Sequence, residues 1–195
     1  MEKIERVVAA TKNKNKIREF KEIMPDCEII TQEEAGVDID VVEDGTTFAE
    51  NALKKAKAIF EATGLPSLAD DSGLEVFALG GEPGVYSARY GGEGLDDKGR
   101  TELVLKKTEN VEDELRGARF VCAIAFVTKD RVYECEGSVE GILTREPRGE
   151  NGFGYDPIFY VPEMGKTTAE MTPEEKNAIS HRGRALSELS KMLSD

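Results

Sequence analysis

The chain has 195 residues, of which 26 are Lys or Arg and 39 are Asp or Glu, so its formal net charge is −13. Charged residues make up 33% and hydrophobic residues 39%, a balance typical of a folded globular protein of one domain or two small lobes. Such acidity disfavours general binding to nucleic acid or to an anionic membrane, although a locally basic pocket can still hold an anion.

No segment of the sequence predicts export or membrane insertion. The apolar run within residues 1–10 is too short for a signal peptide, and no later run is long enough to cross a bilayer. Cys27, Cys122 and Cys135 show no CxxC spacing, and two of them lie in apolar, strand-like runs. We interpret them as reduced thiols of a cytoplasmic protein rather than as metal ligands or a redox pair.

Strand and helix patterns alternate from the N-terminus and predict an α/β fold. A buried strand over residues 4–10 precedes a helix that Pro25 ends. A short strand over residues 27–30 leads into an acidic loop over residues 32–45.

The second helix begins with a capping box formed by Thr47 and Glu50, and Gly64 ends it. The next strand is predicted to end at the turn Asp-Asp-Ser-Gly, which begins at Asp70, with residues 74–79 forming a second extended run.

Glycines predict a loop over residues 80–94, after which Leu103 and Val104 mark a helix. Residues 119–128 and 132–138 predict an antiparallel hairpin. A glycine-rich loop over 148–157 then leads to a short strand over 158–161, and a C-terminal helix has Thr172 as its N-cap, Pro173 at N1 and Glu175 at N3.

The turn from Thr11 to Lys16 joins the first strand to the first helix and carries several lysines. Free amide groups and the helix dipole make such a turn a natural seat for a phosphate. A solvated basic helix face is the alternative, and the spaced glycines of a Walker loop are absent.

Carboxylates suggest a metal site. Asp70 and Asp71 stand at the predicted strand end, and Glu43 lies in the acidic loop. Carboxylates from separate segments can share one Mg²⁺, which prefers oxygen ligands and keeps bound phosphates and waters. The alternative interpretation of the aspartates is a plain turn.

The second helix presents Asn51 and Lys55 on one face, because they are four residues apart. Lys55 can reach a phosphate or pair with Glu50 or Glu43 at the surface. The loop over residues 151–157 places aromatics among glycines, as a base-stacking platform or as a plug into the core.

Near the C-terminus, Lys176 precedes Ser180, His181 and Arg182. In one continuous helix, Lys176 and His181 would point about 140° apart. Since Ser180 is a good N-cap, we predict a helix break there that lets Lys176, His181 and Arg182 face one site.

Six segments in this order resemble the inosine/xanthosine triphosphate pyrophosphatase family, also called Ham1-like. Each segment is weak or moderate evidence alone, but the ordered set is specific. The matching segments are Thr11-x-Asn13-x-x-Lys16, Asn51-Ala52-x-x-Lys55-Ala56, Ala69-Asp70-Asp71-Ser72-Gly73-Leu74, Pro83-Gly84-Val85-Tyr86-Ser87-Ala88-Arg89, Gly152-Phe153-Gly154-Tyr155-Asp156-Pro157 and Glu175-Lys176-x-x-x-Ser180-His181-Arg182.

The resemblance implies hydrolysis of ITP, dITP and XTP to the monophosphate and pyrophosphate. It also implies that residues 1–195 form one domain with an elongated mixed β-sheet and flanking helices, in two lobes around a nucleotide-binding cleft, and that the protein is a homodimer. Mg²⁺ would be held by Glu43 and Asp71, with Asp71 also the base and Asp70 assisting. Substrate contacts would come from Thr11, Lys12, Asn13, Lys14, Asn15, Lys16, Lys55, Ser72, Phe153, Gly154, Tyr155, Asp156, Lys176, His181 and Arg182.

Two positions depart from the family pattern: Asn15 stands where glycine is common, and Asn151 replaces the first glycine of Gly-Gly-Phe. Asn tolerates a left-handed backbone, so we expect both loops to be kept. Two alternative functions remain open. A Maf-like nucleotide pyrophosphatase would carry a Ser-x-Ser-Pro-Arg-Arg opening, which is missing, and a nucleotide sensor would not need the carboxylates.

Overall fold

Seven strands form one sheet in the computed structural model, which describes residues 6–194. In chain order they are β1 (Arg6–Ala9), β2 (Glu28–Ile30), β3 (Ser67–Val76), β4 (Gly117–Val127), β5 (Val132–Leu143), β6 (Phe159–Val161) and β7 (Lys166–Thr167). Their order across the sheet is β2-β1-β3-β4-β5-β6-β7. β1 is parallel to β2 and β3, whereas β6 is antiparallel to β5 and β7. The predicted α/β class with a mixed sheet is confirmed.

Five α-helices accompany the sheet within residues 6–194, and local cap chemistry sets their ends. The capping box of Thr47 and Glu50 is formed, and Gly64 ends that helix in the left-handed conformation with φ of 67°. Thr172 and Glu175 form a second capping box. The helices are α1 (Lys14–Ile23), α2 (Phe48–Thr63), α3 (Asp97–Lys107), α4 (Pro173–Ile179) and α5 (His181–Ser194).

The hairpin prediction is confirmed, because β4 and β5 are neighbours joined by residues 128–131. Neighbouring strands with so short a connection are antiparallel. Nearly every residue of β4 is buried, which explains its continuous apolar sequence around Cys122. The predicted first strand is observed from Arg6, while Ile4 lies outside the described residues.

Two predicted boundaries were wrong. The chain does not turn at Asp-Asp-Ser-Gly, because β3 continues through it to Val76. The second extended run therefore ends at Val76, and Phe77–Leu79 is a 3-10 turn. The predicted loop over residues 80–94 also contains a 3-10 helix, Gly84–Arg89.

The chain divides into two compact units. Among described residues, the first unit comprises 6–71, 122–137 and 182–194, and the second comprises 72–121 and 138–181. The first has a core built on Phe20, Leu68, Ile124, Phe126 and Leu186. The second has its own core built on Leu74, Val104, Ile158, Phe159 and Met171.

Within residues 6–194, none of the helices combines the length and the apolar character that a membrane span requires.

Candidate active site

Asp70 and Asp71 lie in the middle of β3. Consecutive side chains of a strand point to opposite faces, so the two carboxylates have different neighbours. Asp71 contacts helix α2, whereas Asp70 contacts side chains of α1 and α5. The sequence suggested one shared site because Asp70 and Asp71 are adjacent. Their side chains instead lie on opposite faces of the strand.

The carboxylate of Asp71 is held by the predicted polar face of α2. Asn51 Nδ2 donates to Asp71 Oδ2 at 2.9 Å, and Lys55 Nζ lies 3.8 Å from Asp71 Oδ1. Burial raises the pKa of the Asp71 carboxyl, although Lys55 and Asn51 oppose the shift. A carboxylate with a raised pKa beside an amine is a candidate proton acceptor.

Glu43, in the acidic loop, shares Lys55 with Asp71. Lys55 Nζ donates to Glu43 Oε2 at 2.9 Å. Burial acts against the charged ammonium, yet Asp70, Asp71 and Glu43 outweigh it and raise the pKa of Lys55. The other predicted partner, Glu50, is instead used in the helix cap.

The carboxylates of Glu43 and Asp71 fit a Mg²⁺ ion whose remaining ligands are phosphate and water oxygens. Glu43 and Asp71 already contact one common cation, the Lys55 ammonium. Nowhere in the described chain do three or more His, Cys, Asp or Glu side chains form a group able to hold a metal. Mg²⁺ suits such an incomplete set, because it binds through one or two carboxylates and takes phosphate and water oxygens for the rest.

Asp70 is fully buried and belongs to an ion-pair network with Lys16 and Arg182. Arg182 donates to Asp70 Oδ2 from Nε at 3.2 Å and from Nη2 at 2.8 Å, and Lys16 Nζ lies 3.0 Å from Oδ1. Burial disfavours the charged carboxylate, but Lys16, Arg182 and Lys55 outweigh it and hold the pKa of Asp70 well below its usual range. Asp70 is therefore poorly suited to accept a proton.

Two members of this network were missed in the sequence. Glu19, which is 3% exposed, accepts from Arg182 Nη1, and the Cys122 thiol lies 3.8 Å from Asp70 Oδ2. Glu19 follows Lys16 by three residues in α1, a spacing that places both on one helix face. The three-residue spacing of Lys16 and Glu19 was the signal in the sequence that could have identified Glu19.

The predicted break at Ser180 is confirmed, since Ser180 caps the end of α4 and α5 begins at His181. The structure places the Arg182 guanidinium, which is 1% exposed, on Asp70 and Glu19, and the predicted grouping of Arg182 with Lys176 and His181 stays a prediction. The cause of this placement is the demand of two buried carboxylates for a cation.

In the turn before α1, Asn13 is the N-cap and accepts from the amides of Asn15 and Lys16. The Thr11 hydroxyl accepts the amide of Asn13 at 3.1 Å. Lys16 reaches inward to Asp70, whereas Lys12 pairs with the loop carboxylates Asp38 and Asp40 at 2.6 and 2.7 Å, and Lys14 is exposed.

In the second unit, Asp156 is the centre of a buried polar group. Its Oδ2 accepts from Lys176 Nζ at 2.7 Å and from the Phe153 amide at 2.8 Å, and its Oδ1 accepts from the Thr168 hydroxyl at 2.8 Å. Gly152 has φ of 73°, and a Cβ there would overlap the Asp156 carboxylate. This loop therefore requires glycine.

The two aromatics of the loop play different roles. Phe153 is half-buried with Lys176 Nζ 4.8 Å from its ring centroid. Tyr155 plugs the core of the second unit, and its hydroxyl donates to the Ser87 carbonyl at 2.7 Å. The interpretation as a plug into the core is thus confirmed for Tyr155, whereas base stacking by Phe153 stays a prediction. His181, 6% exposed, stacks on Phe120 with centroids 4.8 Å apart.

Three other predicted positions are placed as follows. Ser72 follows Asp71 in β3 and is half-buried. Asn15 lies in α1, and Asn151 Nδ2 donates to the Met171 carbonyl at 2.9 Å. Across residues 6–194, positive φ is confined to glycine, so neither asparagine uses the left-handed conformation that we expected to justify it.

Fold and side chains together define an α/β protein with an acidic centre flanked by lysines. The sequence profile of the Ham1 family matches residues 7–192. The dITP/XTP pyrophosphatase of Thermus thermophilus is 53% identical over 184 residues, covering 93% of this chain and 88% of that protein. The dITP/XTP pyrophosphatase of Shigella flexneri is 50% identical over 188 residues, covering 94% and 95%.

A solved structure is similarly close. The HAM1 protein of Coxiella burnetii superposes with a TM-score of 0.87 at 48% identity, covering 97% of this chain and 98% of that one. The chain belongs to the Ham1 family.

Proposed function

We propose that this protein hydrolyses the non-standard purine nucleoside triphosphates ITP, dITP and XTP to the monophosphate and pyrophosphate. The observation that carries the proposal is the pairing of Asp71 and Glu43 with the buried Lys55. Relatives of about the same length that are half identical in sequence are dITP/XTP pyrophosphatases.

In this proposal, Lys16 and Lys55 bind the triphosphate together with Thr11 and Asn13. Asp71 accepts the proton of the attacking water, for which its raised pKa suits it. Mg²⁺, when bound by Glu43 and Asp71, neutralises charge that builds on the phosphates as the α–β bond breaks.

Asp70 takes a positioning role rather than the assisting catalytic role that we predicted. Its Oδ1 holds the Lys16 ammonium while Arg182 fixes its other oxygen. A phosphate-binding lysine held this way needs no reorganisation when the substrate arrives.

The base is proposed to meet Phe153, Lys176 and His181 in the second unit. Hypoxanthine and xanthine carry a 6-oxo acceptor, and Lys176 and His181 offer donors. Adenine carries an amino donor at that position and would leave those donors unpaired. The resemblance also leads us to propose a cytoplasmic homodimer that binds neither nucleic acid nor membrane.

Pyrophosphate release is the direct test. The purified protein with ITP and Mg²⁺ is expected to release pyrophosphate and IMP, and excess EDTA is expected to abolish turnover until Mg²⁺ is restored. Release of orthophosphate, or full activity in EDTA, would contradict the mechanism. Binding of ITP without turnover would favour the nucleotide sensor. Activity on a panel of nucleotide substrates distinguishes the proposed enzyme from a Maf-like pyrophosphatase.

Replacing Lys176 with Ala is expected to lower kcat/KM for ITP at least about 10-fold more than for ATP, because a charged hydrogen bond at the base is lost. His181→Ala should act in the same direction. Lys166→Ala is the matched control, since Lys166 pairs with Glu175 in the same unit at a half-exposed position. An equal fall for both nucleotides would move base selection to residues 153–156.

A further inference from the structure

Two successive amides of the loop that carries Phe153 are held by carboxylates of different elements. Asp156 Oδ2 accepts the Phe153 amide at 2.8 Å, from within the loop. Asp97 Oδ2 accepts the Gly154 amide at 2.8 Å, from the first turn of helix α3. The second contact spans 57 residues of sequence and has no role in the proposed catalysis.

Gly154 is the point at which this backbone needs an external restraint. It has φ of 61°, and the space that a Cβ would occupy there is open. Glycine populates positive and negative φ about equally. The peptide between Phe153 and Gly154 directly follows the residue that carries the ring, and Tyr155 on the other side is anchored in the core.

The geometry of α3 suits Asp97 to this task. Arg100 Nη1 lies 3.5 Å from Asp97 Oδ1, which leaves Oδ2 facing Gly154. The Thr101 hydroxyl donates to the Asp97 carbonyl at 2.8 Å and lies 3.4 Å from the Gly154 carbonyl oxygen. Both backbone groups of Gly154 therefore face one turn of α3.

We infer that Asp97 is a positioning residue for base selection, which fixes the Phe153–Gly154 peptide and through it the Phe153 ring that a 6-oxopurine meets. The inference rests on the proposed function and deepens it. Asp97 and the hydrogen-bond partners named above belong to the second unit, whereas the lysines and carboxylates assigned to the triphosphate and the metal belong to the first. Loss of Asp97 should therefore weaken recognition of the base and leave the chemical step intact.

Adjacent Asp96 provides a matched control. Asp96 is the N-cap residue that precedes α3, and its Oδ1 caps the helix by accepting the Gly99 amide at 2.8 Å. Asp96→Ala should lower the melting temperature through loss of the cap and leave base selection unchanged. A purely structural contribution of this helix end would appear equally in both variants.

The experiment measures kcat and KM for ITP and for ATP, each with Mg²⁺, in the wild type, Asp97→Ala, Asp97→Asn and Asp96→Ala. Asp97→Ala is expected to raise KM for ITP about 10-fold with kcat within about 2-fold, and to shift KM for ATP less than about 2-fold. Asp97→Asn keeps an acceptor oxygen for the Gly154 amide and should restore KM for ITP to within about 3-fold of the wild type.

Two results overturn the inference: an ITP-to-ATP ratio of kcat/KM in Asp97→Ala that is unchanged, whether or not both values fall, or an Asp97→Asn variant as impaired as Asp97→Ala. Each requires a wild type that releases pyrophosphate from ITP. A wild type that does not do so rejects the proposed function itself, so the two failures are distinguishable.

Discussion

Replacing Asp71 with Asn is expected to lower turnover of ITP by at least about 10²-fold, because general-base catalysis is typically worth about 10²–10⁴-fold. Asn keeps the shape of the side chain and can still accept from Asn51 Nδ2, which now holds Asp71 at 2.9 Å. It removes the charge proposed to bind metal and accept a proton. Steady-state pyrophosphate release measures the loss, and circular dichroism checks that the fold is retained.

Asp44→Asn is the matched control for this loss of charge. Asp44 lies beside Glu43 in the acidic loop and pairs with Lys54 at the surface. We expect its turnover to stay within a few-fold of the wild type, since surface ion pairs contribute little. An Asp71→Asn variant as active as Asp44→Asn would require another group to be the base.

Replacing Arg182 with Met is expected to lower the free energy of unfolding by about 3–5 kcal/mol, because breaking a buried ion pair leaves uncompensated charge. Asp70 and Glu19 would keep their buried carboxylates without the guanidinium that now bonds both. Urea denaturation followed by circular dichroism measures the difference. A loss below about 1 kcal/mol, the range of exposed ion pairs, would show that the network contributes little to folding.

The pH dependence of stability gives a second check on the same network. The pKa of Asp70 is held well below its usual range, so its ionised form stabilises the fold above the pKa of an unfolded aspartate. That stability is lost as the pH falls through the folded pKa. Arg182→Met should raise the pKa of Asp70 in the folded protein. The free energy of unfolding of this variant should therefore fall less on acidification than that of the wild type. Arg6→Met, which breaks an exposed pair with Glu28, should follow the wild type.

Local chemistry made much of the fold predictable. The capping box of Thr47, the left-handed Gly64 and the N-cap of Thr172 each depend on residues within one turn, so the helix ends follow from the sequence. The break at Ser180 was predictable for the same reason.

The course of β3 was not predictable, because a glycine that follows Asp-Asp-Ser in sequence predicts a turn. A Cβ at Gly73 would overlap the Ser87 hydroxyl and the Gly84 carbonyl, so this glycine allows close packing inside a strand. That contact joins residues 14 positions apart, and a single sequence does not reveal it.

The contacts of the candidate site were likewise predictable where they depend on residues close in sequence, and not predictable where they join distant residues. Asn51 and Lys55 share a helix face by spacing alone, and the structure brings both to Asp71. The partners of Arg182 lie 112 and 163 residues away, at Asp70 and Glu19. Only the tertiary fold determines which carboxylates form ion pairs with a buried guanidinium.

The double ion pair of Lys55 links two binding events thermodynamically. Its ammonium neutralises Glu43 and Asp71, the two residues proposed to hold the metal. In the proposed function, a divalent cation held by those carboxylates would release the ammonium for an incoming phosphate, and a phosphate that binds the ammonium would free the carboxylates for the cation. By linkage, the factor by which metal tightens nucleotide binding equals the factor by which nucleotide tightens metal binding. A cation or a phosphate that binds alone must break an ion pair of Lys55, so the site favours the binding of both ligands together.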